Sequence, residues 1–102
     1  MAAFVTVART DELTPGQGKL VEVNQKCIAL FNVGGHYYAL DDRCPHRGAP
    51  LSEGELEGQT VVCPWHAAVF DLATGNVIQP PAAGRVATYD VRLNGEEITI
   101  AV

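Results

Sequence analysis

The sequence predicts an all-β fold of short antiparallel strands. Three observations predict it. Runs of β-branched and aromatic residues alternate with turn residues, among them ten glycines and six prolines in 102 residues. Two pairs, Gly34-Gly35 and Asn94-Gly95, separate such runs by the spacing of two-residue hairpins. No stretch sustains a helical period over ten or more residues.

The elements follow in order. FVTVA (4–8) reads as the first strand. ARTDELTPG offers one helix-like turn, capped by Thr10 and ended before Pro15. KLVEVN (19–24) and KCIALFNV (26–33) are strands, with Cys27 a small buried hydrophobe in the second. HYYAL (36–40) follows Gly34-Gly35, with His36 a surface turn residue. Residues 41–85 are rich in Pro and Gly. Within them TVVCP (60–64) and AAVFDL (67–72) form a short hairpin whose turn carries Cys63 and His66, and Thr74-Gly75 turns the chain again. VATYDVRL (86–93) and EEITIAV (96–102) flank Asn94-Gly95, where a type I′ turn requires positive φ at both central residues. Strands on both sides of a loop-rich centre predict one domain, 1–102. Its β framework spans about 1–40 and 83–102, and a small binding lobe spans about 41–82.

Composition narrows the function. Hydrophobic residues make up 47%, too many for a disordered chain. A net charge of −5 argues against nucleic acid, because a phosphate-binding surface needs excess Lys and Arg. The charge is uneven: zero over 1–40, −4 over 41–82 and −1 over the remainder. An acidic lobe fits a basic partner whose attraction weakens with salt, although a single carboxylate is commonly just a solvated one. No apolar run approaches the ~18–20 residues of a membrane span, and no signal-peptide pattern opens the chain. The expectation is a cytoplasmic monomer without a membrane segment. Its three cysteines are then ligands or free thiols rather than disulfides.

Two of the three cysteines and two of the three histidines fall in two short segments, Cys44-x-His46 and, sixteen residues later, Cys63-x-x-His66. Each cysteine precedes a proline, which pushes it into an extended conformation and stiffens the turn. Each segment supplies one sulfur and one nitrogen. Zinc could take all four ligands tetrahedrally, but the usual finger spacing pairs Cys with Cys and His with His. The other candidate is a [2Fe–2S] cluster with two cysteines on one iron and two histidines on the other.

The run 44-CPHRGAPLSEGELEGQTVVCPWHAAVFDLATGNVIQPPA-82 resembles the cluster-binding region of Rieske ferredoxins, the small electron carriers of multicomponent aromatic-ring oxygenases. The motifs shared are the four ligands with both prolines, Gly48, Pro50-Leu51, Trp65, Phe70-Asp71, Thr74-Gly75 and Pro80-Pro81. The resemblance implies a Rieske-like antiparallel β-sandwich framework carrying a cluster-binding lobe. It implies that Cys44 and Cys63 bind the buried iron, and His46 and His66 the outer one. It implies a one-electron carrier with no catalytic residues of its own. Its partners would be a flavin-containing reductase and a terminal oxygenase, docked transiently near His46 and His66. With neutral imidazoles the oxidised centre sums to zero charge, so an electron enters more easily than in a four-cysteine cluster.

High-potential relatives carry a further cysteine in each ligand loop, at positions matching Ala49 and Trp65 here. They also carry serine and tyrosine hydroxyls where this chain has Ala68 and Phe70. The resemblance therefore implies a potential low in the Rieske range. Ala67 departs from the pattern, since these ferredoxins usually have glycine after the second histidine. Trp65 lies between ligands as a cover or an ordinary aromatic. Arg43 and Arg47 bracket the first pair, and Pro80-Pro81 matches a loop that shields the cluster. The alternatives are the small Rieske-like subunit of an assimilatory nitrite reductase, many of which lack the ligands, and a structural zinc module.

Overall fold

Four consecutive buried side chains, Ile28, Ala29, Leu30 and Phe31, set the architecture. A strand points successive side chains to opposite faces, so this run must be covered on both sides. A computed structural model, which describes residues 3–42, 50–64, 68–79 and 86–102, shows how. Its strands are β1 (Phe4–Arg9), β2 (Gln17–Val23), β3 (Lys26–Val33), β4 (His36–Asp41), β5 (Glu55–Glu57), β6 (Thr60–Val62), β7 (Val69–Asp71), β8 (Val77–Gln79), β9 (Thr88–Tyr89), β10 (Val91–Asn94) and β11 (Glu97–Ala101). They form three antiparallel sheets, ordered β1-β11-β10, β2-β3-β4-β9 and β5-β6-β7-β8.

The β2-β3-β4-β9 sheet is shared between two cores. Ile28, Leu30 and Ala39 pack with Ile98 and Ile100 of β11. Ala29, Phe31 and Leu40 pack with Val61 and Phe70 of the β5–β8 sheet. Alternation along β3 thus sends one side chain to each core in turn. The all-β antiparallel expectation holds. The centre of the chain, expected to be mostly loop around one hairpin, has a four-stranded sheet of its own, because β5 and β8 flank the predicted pair.

Two of three hairpin turns differ from expectation. Asn24 and Gln25 both have positive φ (50° and 64°) between paired Val23 and Lys26, so a type I′ turn joins β2 and β3 without a glycine. Gly34-Gly35 forms the expected hairpin, with both φ positive. At the last hairpin Asn94 pairs with Glu97, so the turn residues are Gly95 and Glu96 and only Gly95 has positive φ. The turn sits one residue later than predicted, with the φ pattern of type II′.

Two further expectations are corrected. The segment 86–93 is not one strand: at Asp90 the chain leaves β9, paired with β4, and enters β10, paired with β11. Tyr89 and Val91 on either side both pack into the β11-side core. The helix-like turn is a 3-10 turn at Thr10–Glu12, and Thr10 does not cap it. The Arg9 amide donates to Glu12 Oε1 at 2.8 Å, while the Thr10 amide bonds the Glu96 carbonyl at 2.8 Å.

Candidate metal centre

Cys63 directly follows β6 and is 2% exposed. Its amide donates to the Ala68 carbonyl at 2.7 Å, extending the β6–β7 ladder past the Val62–Val69 pair. That bond closes the turn on which the second ligand pair was predicted. Cys63 belongs to an apolar cluster with Leu51, Val61, Ala68, Phe70 and Leu72. Ala68 and Phe70 are fully buried, and neither side chain carries a hydroxyl.

The first predicted ligand loop is rooted by Asp42. The Asp42 amide donates to the Cys27 carbonyl at 3.0 Å, and its own carbonyl accepts from the Leu51 amide at 2.6 Å. Its carboxylate Oδ1 accepts from the Ser52 amide at 2.8 Å. Residues 42 and 51–52 are therefore joined across the intervening loop. Asp42 is 5% exposed, and no cation pairs with its carboxylate among the described residues. Sequence reading missed this residue. The available signal was the Asp41-Asp42 pair where the strand gives way to the ligand segment.

A third root completes the arrangement. The Val86 amide donates to the Gly75 carbonyl at 2.9 Å, and the Asp41 amide to the Ala87 carbonyl at 2.9 Å. Gly75 has φ +75°, and a Cβ there would collide with the Val86 carbonyl oxygen, so both its conformation and its closeness demand glycine. Leu51, Cys63, Ala68 and Val86, each within two residues of the segments 43–49, 65–67 and 80–85, all sit in one buried cluster. Folding thus gathers the roots of the three segments around one apolar floor.

Of the four predicted ligands, Cys63 is described. Cys44, His46 and His66 lie outside the described residues, as do Arg43, Arg47, Trp65, Ala67 and Pro80-Pro81. Among the described residues no group of three or more His, Cys, Asp or Glu is placed to hold a metal. Cys63 fits the role assigned to it: a buried sulfur at the mouth of a closed hairpin, with an apolar lining that limits water and sets the dielectric around a metal. Cys27 differs from expectation. It is exposed near the start of β3, beside a pocket lined also by Gln25, Lys26 and Asp41. Only from Ile28 onward is the strand covered on both sides. His36 is exposed, as expected, but it opens β4, paired with Val33, rather than lying in the turn.

Next to the first root, the Tyr89 hydroxyl donates to Asp41 Oδ1 at 2.6 Å, and Lys26 Nζ lies 5.6 Å from the Tyr89 ring centre. Burial, then the bond to the Asp41 carboxylate, push the Tyr89 hydroxyl up to about 12. No Lys or Arg occurs between Gly48 and Gly84, a span with Glu53, Glu55, Glu57 and Asp71. No helix among the described residues is long and apolar enough to cross a membrane.

Comparison with known proteins places these features. The family described as Rieske [2Fe-2S] domain matches residues 3–90. The chain is 53% identical over 74 residues to the 3-phenylpropionate/cinnamic acid dioxygenase ferredoxin subunit of Shigella boydii serotype 4 (strain Sb227), covering 72% of this chain and 70% of that one. It superposes on the ferredoxin of carbazole 1,9a-dioxygenase from Nocardioides aromaticivorans IC177 with a TM-score of 0.93 and 32% identity, covering 97% of each chain. A chain from the complex of reduced oxygenase and oxidized ferredoxin in carbazole 1,9a-dioxygenase gives a TM-score of 0.89 at 30% identity, covering 96% of this chain and 92% of that one.

Proposed function

We propose that this chain, which belongs to the Rieske [2Fe-2S] domain family, is the ferredoxin that carries single electrons from a reductase to a terminal ring-hydroxylating oxygenase. The observation that carries the reading is the 53% identity to a dioxygenase ferredoxin subunit across 74 residues. The whole chain, 1–102, acts as one domain, with 41–82 as the cluster-binding lobe on a framework of 1–40 and 83–102. Cys44 and Cys63 hold one iron; His46 and His66 hold the other.

When bound, the cluster supplies a site that accepts and returns one electron. The chain's residues set the conditions. Cys63 places its sulfur on the apolar floor, away from water. Ala68 and Phe70 offer no hydroxyl to stabilise the reduced state, which keeps the potential in the lower part of the Rieske range. The His46 and His66 side is the electron port. The span 48–84 without Lys or Arg favours partners with basic rims. The encounter is small and transient, as redox contacts usually are. The reductase is a flavoprotein, and the carrier works as a cytoplasmic monomer.

The test is reconstitution with iron and sulfide, followed by reduction. The expected product is red-brown and gives a Rieske EPR signal, which His46→Ala and His66→Ala each abolish. A colourless protein holding one zinc would overturn the reading. Transfer to the oxygenase should slow as salt rises. A reduced protein that feeds a nitrite reductase and no oxygenase would favour the small-subunit alternative.

A further inference from the structure

We propose that Asp42 is a positioning residue for the cluster: its carboxylate clasps the first ligand loop and so fixes where Cys44 and His46 are presented. The inference rests on the ligand reading above. Two amides follow the loop at the 3-10 turn Leu51–Glu53, those of Leu51 and Ser52. The next two amides are satisfied within the turn, Glu53 by the Pro50 carbonyl and Gly54 by the Leu51 carbonyl. Asp42 takes the two that remain, the Leu51 amide with its main-chain oxygen at 2.6 Å and the Ser52 amide with Oδ1 at 2.8 Å. One residue thereby makes a two-point joint between the entry and exit of the loop.

Side-chain chemistry decides which residues could do this. The acceptor must lie two bonds beyond Cβ, which Asp and Asn satisfy and Ala does not. Burying a carboxylate is costly unless hydrogen bonds compensate, so at a residue only 5% exposed the bond from the Ser52 amide to Oδ1 is a structural requirement of the site. The other side of Asp42 is tied as well, through its amide to the Cys27 carbonyl at 3.0 Å. Asp42 is thus fixed to β3 on one side and to the loop exit on the other. A loop pinned at one point can swing about it, whereas one pinned at two keeps its opening and direction. Two-point rooting is what a loop needs if it is to meet a second loop, rooted at Cys63, at one shared group.

The experiment compares reconstituted wild type, Asp42→Asn and Asp42→Ala. Readouts are the rate of iron release to a chelator, the EPR spectrum of the reduced protein and the melting curve of the metal-free form. Asp42→Asn keeps the acceptor and should release iron within about twofold of wild type, with an unchanged EPR line shape. Asp42→Ala should release iron about tenfold faster or more, with an altered line shape, as loss of a supporting partner does at metal sites. Where Asp42→Ala does not accumulate, Asp42→Ser takes its place, since its oxygen falls one bond short, with the same expected result. Release at the wild-type rate from the Ala or Ser variant, or release from Asp42→Asn as fast as from Asp42→Ala, overturns the proposal. A wild-type protein that takes up no cluster at all overturns the ligand reading beneath it.

Discussion

The β2-β3-β4-β9 sheet and the β5-β6-β7-β8 sheet meet over one core but are held in different ways. The first has strands of up to eight residues, and β3 pairs with β2 over Lys26–Asn32 and with β4 over Ile28–Val33. The second has four strands of three residues each. Three-residue strands offer few ladder bonds, and sheets that small need a covering face or a staple. Here the cover is the Phe31 side of β3, and the further ties are the bonds at Cys63, Asp42 and Gly75. The contrast teaches that the long-stranded sheet stands on its own pairing, whereas the short one depends on that sheet, on its loop roots and, under the proposed ligand assignment, on the metal they would serve.

The largest expected effect comes from removing the metal tie. Cys63→Ala should abolish cluster uptake. By amide hydrogen exchange, β5–β8 should lose protection while β2–β4 and β10–β11 keep it. Equal protection in both sheets would erase the contrast. Next come paired core truncations. Phe31→Ala and Phe70→Ala should each cost about 3–5 kcal/mol, because both rings are fully buried. Phe70→Ala should release the cluster while leaving β1–β4 and β10–β11 folded, and Phe31→Ala should unfold the whole chain. Denaturation followed by visible absorbance and by far-UV circular dichroism separates the two outcomes.

A smaller effect is expected at Gly75. Gly75→Ala combines a left-handed conformation with a collision at the Val86 carbonyl and should cost about 1–3 kcal/mol. Its mark should be faster iron release with little change in exchange along β10–β11. The smallest effect is a pH dependence of the long-stranded side. The Tyr89 hydroxyl is raised to about 12 in the folded chain, against about 10 unfolded. Between those values the unfolded chain has lost the proton and the folded chain keeps it. Stability from this bond is therefore fully present below pH 10 and is lost as pH rises through 12. Tyr89 is half-buried, so solvent screening limits the contribution to roughly 1 kcal/mol. Melting curves between pH 9 and 12 should show this fall in wild type and a shallower one in Tyr89→Phe.

Much of the long-stranded architecture was legible because its signals are local. Gly34-Gly35 marked a hairpin, and the β-branched and aromatic runs KLVEVN, KCIALFNV and HYYAL marked the strands. The Asn24-Gln25 turn was hidden, since neither residue is glycine and the positive φ at both is enforced by pairing on either side. The short strands β5 and β8 were hidden for a similar reason. Three residues carry almost no periodic signal, and they become strands because β6 and β7 lie beside them. The break at Asp90 was equally invisible, since VATYDVRL alternates well enough for one strand, and only the two partner sheets divide it.

By itself, the sequence carries the expectation of the ligand chemistry. Two Cys-Pro segments with a histidine each, at that spacing, offer two sulfur and two nitrogen donors, and no packing is needed to read it. The tertiary structure alone decided how the two turns are rooted. Asp42 is one of two adjacent aspartates in the sequence, and nothing local separates it from Asp41. In the fold the neighbours part: the Asp41 carboxylate accepts the Tyr89 hydroxyl, and the Asp42 carboxylate is buried on the Ser52 amide. The reason is that these partners lie 48 and 10 residues away in the chain, and only the packing of the sheets brings them within hydrogen-bond reach.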